Sequence, residues 1–154
     1  MHAADLACRV ALGDALADEL AALPERADPG DGLVAVHASP VSDMRSFGPQ
    51  ADDGEDDGEL LGDVRAGRLV FGHTHVAFVR SAGAVELVNP GSVGLPLDGD
   101  HRAAYALVGD DGALAHRRVD YDHEASAGQL EHRFGDAPWV ELICGWLRSA
   151  RPAA

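Results

Sequence analysis

The sequence has 154 residues, 46% of them apolar and 25% charged, the proportions of an ordinary globular domain with a real core. Its 26 acidic side chains stand against 12 basic ones, every one an arginine, for a net charge of −14; such a surface repels nucleic-acid phosphates and anionic lipid headgroups, so neither is expected as a general partner. No apolar run approaches the length of a membrane span, and the opening MHAADLACRV lacks the basic-then-apolar plan of a signal peptide, so the expected location is cytoplasmic.

In chain order, Leu6, Val10, Leu16, Leu20 and Leu23 recur at helical spacing over residues 4–23, and Pro24 ends the pattern. Asp28-Pro29-Gly30-Asp31-Gly32 reads as a turn, and Leu33-Val34-Ala35-Val36 as a short buried strand that ends at His37. Residues 38–63 read as mostly loop, with Pro40, Gly48, Pro49 and an acidic tract over 51–63 expected to lie in solvent. A second buried strand, Leu69 to Phe71, precedes strands at Val76 to Arg80 and Val85 to Val88 that flank the turn Ser81 to Ala84. Residues 103–108 and 114–119 predict a hairpin around Gly109-Asp110-Asp111-Gly112, and the tail from about Asp122 to Leu147 predicts two helices broken near Gly135 to Pro138. The short, fully apolar strands suit the interior of a covered sheet, and the later, alternating ones suit a half-exposed antiparallel sheet. The expected fold class is therefore α/β, a mixed sandwich. Cys8 and Cys144, far apart in the chain, are expected as free thiols.

The stretch Phe71-Gly72-His73-Thr74-His75 sets two imidazoles one residue apart where a buried strand should end. If the stretch is extended, residues i and i+2 point the same way, so both rings can face one cavity. His37 ends the other apolar strand, and ligands in open α/β sheets collect at strand ends. Three neutral imidazoles suit zinc, iron, manganese, nickel or cobalt and suit calcium or magnesium poorly. His2, His101, His116, His123 and His132 have no partner at useful spacing and are expected at the surface, with His101 held in reserve because it follows a glycine-rich loop.

Val70-Phe71-Gly72-His73-Thr74-His75-Val76-Ala77-Phe78 followed by Val88-Asn89-Pro90-Gly91-Ser92-Val93-Gly94 resembles the C-terminal signature of the calcineurin-like metallophosphoesterase superfamily, and its small bacterial and archaeal phosphodiesterase branch most of all. Val34-Ala35-Val36-His37-Ala38-Ser39-Pro40, the helix end at residues 20–25 and the stretch at 98–107 extend the resemblance over roughly residues 18–122. It implies a partial metallophosphoesterase β-sandwich flanked by helices, in a four-layer α/β/β/α order. Residues 1–121 would form the C-terminal portion of that domain and residues 122–154 its helical tail. It also implies a small phosphoester substrate and two divalent transition metals (Mn, Fe, Ni, Co or Zn) about 3.5–4 Å apart, bridged by an aspartate and a hydroxide. Carried over by position, His37 and His73 would bind the second metal and His75 the first, while Asn89 to Ser92 would form a tight turn that shapes the cavity.

The family's D-x-H and G-N-[HCD] elements occur nowhere in the sequence, and Gly13-Asp14 falls inside the helical pattern. The chain thus reads as the family domain without roughly its first 80–100 residues, with no catalytic residue assigned and hydrolysis weak or absent in this chain alone. A sheet cut in this way is expected to expose an edge and to self-associate through it. Two other readings stand beside the incomplete hydrolase. One is a non-catalytic remnant or binding module that associates with another chain, and the other is a three-histidine mononuclear metal-binding protein. Ala38 in place of the usual glycine, and Leu95-Pro96-Leu97 in place of a Gln-Pro-Arg pattern, leave the substrate-binding residues unassigned.

Overall fold

The computed structural model describes residues 3–51, 56–65 and 67–152. The N-terminal pattern forms two helices, α1 (Ala3–Leu12) and α2 (Asp14–Ala21), not the single helix over 4–23 that its apolar spacing predicts. Gly13 takes φ +79°, which turns the chain out of the helix between them. The segment predicted as a bare turn is mostly strand β1 (Arg26–Gly30), and only Asp31 and Gly32 turn back into β2 (Leu33–Val36). Every residue of β1 is exposed and one is Pro29, so it carries no apolar periodicity; proline is tolerated there because β1 is an edge strand.

The predicted loop at 38–63 contains a helical turn, α3 (Asp57–Leu61), started by Asp56, whose side chain accepts from the Glu59 amide at 2.8 Å. Leu60 and Leu61 of α3 are buried, so this part of the acidic tract is packed against the core; residues 52–55 of the tract, like His2, lie outside the described residues. Arg80 holds the segment down: its guanidinium makes two bonds to Asp57, at 2.6 and 2.7 Å, and a third to the Gly48 carbonyl at 2.9 Å. The remaining elements are β3 (Gly67–Val70), β4 (Ala77–Ala82), β5 (Val85–Pro90), β6 (Ala103–Val108), β7 (Leu114–Val119), α4 (His123–Phe134) and α5 (Pro138–Ser149), all close to their predicted positions.

Five strands form one sheet in the order β1-β2-β3-β5-β4. Strands β2, β3 and β5 run parallel, and β1 and β4 flank them antiparallel. The apolar strands are thus interior. Val34, Leu69, Phe71, Val85 and Leu87 bury one face of the sheet against Phe47, Leu60, Leu61 and Val64. The Phe71 ring lies 5.1 Å from that of Phe47 and 5.6 Å from that of Phe78, within the range of tilted and edge-to-face aromatic contacts. Strands β6 and β7 make a second, two-stranded sheet that meets the first at the end of β5, where the Ala104 amide donates to the Ser92 carbonyl at 2.8 Å.

Helices α4 and α5 pack on each other through Ala127, Val140, Cys144 and Leu147, with Leu95 of the 89–97 loop joining their core. Arg148 on α5 ties α4 down at Glu124 and Glu131, at 3.0 and 2.8 Å. Helices α1 and α2 bury none of their residues, and Leu6, Val10, Leu16, Leu20 and Leu23 stay 42–76% exposed. Exposed apolar side chains also lie on the edge strand β4, at Val79, and on the second sheet, at Leu107, Val108 and Val119. No helix among the described residues is long and apolar enough to cross a membrane. Cys8 and Cys144 are both free, as expected.

Candidate metal centre

Because β2, β3 and β5 are parallel, their C-terminal ends lie together, and the chain leaves them at His37, at Gly72 and at Gly91. The first two ends are joined directly, as the Gly72 amide donates to the His37 carbonyl at 2.7 Å. Beyond Gly72 the chain is not extended. His73 has φ +64° and His75 φ +59°, both left-handed, so the expectation that alternation aims their rings at one cavity is overturned. A non-glycine residue in that region costs about 1–2 kcal/mol, and two so close need an external brace.

Asn89 is that brace. It is fully buried, and its Nδ2 donates to the Gly72 carbonyl at 2.7 Å and to Thr74 Oγ1 at 3.0 Å. Its Oδ1 accepts from the Gly91 amide at 2.9 Å, and its backbone carbonyl accepts from His116 Nε2 at 2.8 Å. His116, predicted at the surface, is thus half-buried and structural; its partner lies 27 residues away in the chain, and no local spacing points to it. Gly91 has φ +83°, and a Cβ placed there would lie 2.7 Å from Ala104 Cβ and 3.1 Å from Ala77 Cβ. Gly91→Ala is therefore expected to lower stability by about 1–3 kcal/mol through strain and overpacking, read as a fall in the urea midpoint with an unchanged slope.

The loop after Asn89 closes over the second histidine. His75 Nδ1 lies 2.8 Å from the Leu95 carbonyl, an acceptor, so Nδ1 carries the hydrogen and the Nε2 lone pair is left for a ligand. The Leu97 amide returns a bond to the His75 carbonyl at 3.1 Å. Next along, Asp98 accepts from the Ala77 amide at 3.3 Å and pairs with Arg118 on β7. Burial pushes the Asp98 carboxyl up, but the Arg118 hydrogen bond and charge, with the Ala77 and Asp100 amides, outweigh it and hold the group below the usual carboxylate range. A carboxyl depressed in the folded state adds stability at pH values above its unfolded pKa, and that stability is lost as pH falls through the folded value. The melting temperature is thus expected to drop below about pH 4, and Asp98→Asn to flatten that acid limb while lowering stability at pH 7.

His37 and His73 meet. His37 Nε2 and His73 Nδ1 are 3.3 Å apart, with ring centroids 5.2 Å apart and the rings perpendicular. Two nitrogens about 2.0–2.1 Å from one zinc-sized ion, a tetrahedral angle apart, are separated by roughly 3.3–3.4 Å, so the pair has the spacing of two ligands on one metal. Burial, then the charges of His37 and His75, push the His73 imidazole below its ordinary value, while Asp43 pulls the other way. The outcome favours the neutral ring, the form that donates a lone pair to a metal. His75 is engaged with Leu95 and does not complete a cluster. No group of three His, Cys, Asp or Glu among the described residues is placed to hold a metal ion together. His101 takes no part, since its ring stacks on His123 with centroids 4.3 Å apart and its Nε2 donates to the Arg148 carbonyl at 2.7 Å.

The fold is α/β, with two imidazoles side by side at the ends of parallel strands. Residues 18–111 match the calcineurin-like phosphoesterase superfamily domain, and the chain belongs to that family, whose members are phosphoesterases that use divalent metals. Solved structures share its fold, among them the following two. A metallophosphoesterase from Sphaerobacter thermophilus is 24% identical, with a TM-score of 0.72, over 92% of this chain and 63% of its own. A hypothetical protein from Pyrococcus horikoshii OT3 is 20% identical, with a TM-score of 0.69, over 94% of this chain and 57% of its own. The chain thus spans about six-tenths of the length of the solved structures it resembles. No curated protein matches it in sequence.

Proposed function

We propose that the chain is the metal-binding C-terminal portion of a phosphoester hydrolase of the small phosphodiesterase branch, acting on a small phosphoester through a two-metal centre. In this reading His37 and His73 hold the second metal and His75, through its free Nε2, the first. The observation that carries it is the 3.3 Å approach of His37 Nε2 to His73 Nδ1 at the ends of parallel strands, in a chain of this family. Divalent metals (Mn, Fe, Co, Ni or Zn) would supply there an acidified water and neutralise charge on the phosphoryl oxygens. The chain's own part is positional. Asn89 fixes the loop, the Leu95 carbonyl sets the His75 tautomer, and the Gly72–His37 bond ties the two ligand-bearing strand ends together.

No aspartate joins the histidine pair among the described residues in a group able to hold a metal, so the chain by itself is expected to bind metal more readily than it hydrolyses. The test is to dialyse the purified chain against manganese and then offer it a bis-aryl phosphodiester. Retained manganese with weak or absent turnover is the expected result, and a chain that retains no manganese sinks the reading.

One observation favours the second reading, a non-catalytic module that associates with another polypeptide: the uncovered apolar face of α1 and α2. A compact monomer in analytical ultracentrifugation that binds no apolar dye would remove it.

A further inference from the structure

The α4–α5 core borders a cavity of about 350 Å³, which lies between the two helices and the loop at 94–95. That volume falls within the range of small-ligand sites, about 300–1,000 Å³. Its walls are apolar side chains of that core: Leu95, Leu130, Phe134 and Ile143 are only partly buried, and Leu147 is buried. Ser126, Gln129 and Arg133 supply the polar part. With Leu130 they stand at i, i+3, i+4 and i+7 of α4, a spacing that sets all four on one face. No Asp or Glu lines the cavity, in a chain that has 26 of them. The two carboxylates of α4 are both bound to Arg148, Glu124 at 3.0 Å and Glu131 at 2.8 Å. Arg133 has no carboxylate partner among the described residues, and its guanidinium carbon sits 5.3 Å from the centroid of the Phe134 ring that lines the cavity. Gln129 likewise makes no side-chain hydrogen bond among the described residues.

We propose that this cavity binds a small amphiphile with one anionic head, a carboxylate or a phosphate monoester, and a single apolar chain. The chain covers Leu130, Phe134 and Ile143, the apolar side chains that the two helices leave partly exposed. The head meets Arg133, whose planar fork matches either oxyanion, with the Gln129 amide as a second donor. A cationic head meets an uncompensated guanidinium and is repelled, and a neutral head gains nothing from the charge. None of these residues belongs to the histidine pair, so the inference stands apart from the metal reading.

Ile143 is the single isoleucine of the sequence, so its δ1 methyl, labelled with ¹³C, gives one resonance at the cavity wall. The experiment titrates the metal-free chain with octanoate, octyl phosphate, octanol and octyltrimethylammonium, in about 0.15 M salt so that charges remote from the cavity are screened. The two anions are expected to shift that resonance saturably and to bind about two- to fivefold more tightly than octanol, the range an exposed charge pair supplies, with the cation weakest. The tighter of the two anions tells which head the site prefers. Shortening octanoate to heptanoate should weaken binding by up to about fourfold, the worth of one buried methylene. Arg133→Gln should bring octanoate to the affinity of octanol and Arg133→Glu should place it below, with both variants folded as the native chain is by circular dichroism, because Arg133 is exposed. No shift with either anion, octanol equal to both anions in the native chain, or an octanoate affinity unchanged in Arg133→Glu would each overturn the proposal. An Ile143 resonance that moves when the ligand-free chain is diluted would show that a second copy covers the cavity, and would overturn it too.

Discussion

Asn89→Ala is expected to destabilise the chain by about 3–5 kcal/mol and to weaken its metal binding in the same step. The amide side chain is fully buried and makes three hydrogen bonds, to the Gly72 carbonyl, the Thr74 hydroxyl and the Gly91 amide. Alanine satisfies none of them, and each buried group left unmade costs about 1–3 kcal/mol, less whatever water can recover. The bonds also hold Gly72 to His75 in its turn, with two imidazole residues in left-handed backbone, so their loss frees the loop to relax away from the ligand geometry. Asn89→Asp makes a sharper control. It keeps an oxygen for the Gly91 amide but turns the donor toward Gly72 into a second acceptor, setting a carboxylate against a carbonyl oxygen. It should therefore also destabilise, although its shape is unchanged. Chemical denaturation monitored by circular dichroism reads both variants, and a loss under 1 kcal/mol for Asn89→Ala would contradict the bracing role.

The second large effect is on metal affinity. His37→Ala and His73→Ala are each expected to weaken manganese or zinc binding by about 100-fold or more, since a ligand lost from a metal site costs at least as much as the 10–100-fold of a lost outer-shell partner. The two losses should not add in the double variant, because either one breaks the same pair. His75→Ala should leave this pair's affinity closer to native, as its ring is engaged with Leu95 and stands outside the 3.3 Å contact. Isothermal titration of the four proteins separates the cases. Equal losses for His75→Ala and His73→Ala would show one shared three-histidine site in place of the pair.

Much of this arrangement is legible in local spacing. The apolar runs before His37 and Gly72 predict two short buried strands, the residues flanking Gly109 to Gly112 predict a hairpin, and the breaks at Gly135 to Pro138 predict two tail helices; all three form. What local spacing does not carry is long-range pairing. β1 is exposed along its whole length, so its strand character comes only from pairing with β2. The place of β5 between β3 and β4 rests on a parallel pairing between Gly67–Val70 and Val85–Val88, which leaves no mark in either segment alone.

The site divides in the same way. His37, His73 and His75 stand out in the sequence by residue type and by their place at strand ends, but the strand alternation expected to aim His73 and His75 at one cavity is not followed by the backbone. His73 meets His37 with its backbone at positive φ, as is that of His75, and the loop that carries them is bonded by Asn89, which stands 15 residues beyond Thr74 in the chain. Residues that brace a site across such distances, His116 and Arg118 among them, become visible only when the strands are assembled.

The most direct test of the account is the ¹⁵N spectrum of the imidazole rings as one equivalent of zinc is added to the chain. The account predicts that His37 Nε2 and His73 Nδ1 move together into the range of metal-bound nitrogen, while His101, which donates to the Arg148 carbonyl, keeps its resonances. Zinc that moves neither of the paired nitrogens, or that moves only exposed imidazoles such as His132, would contradict it.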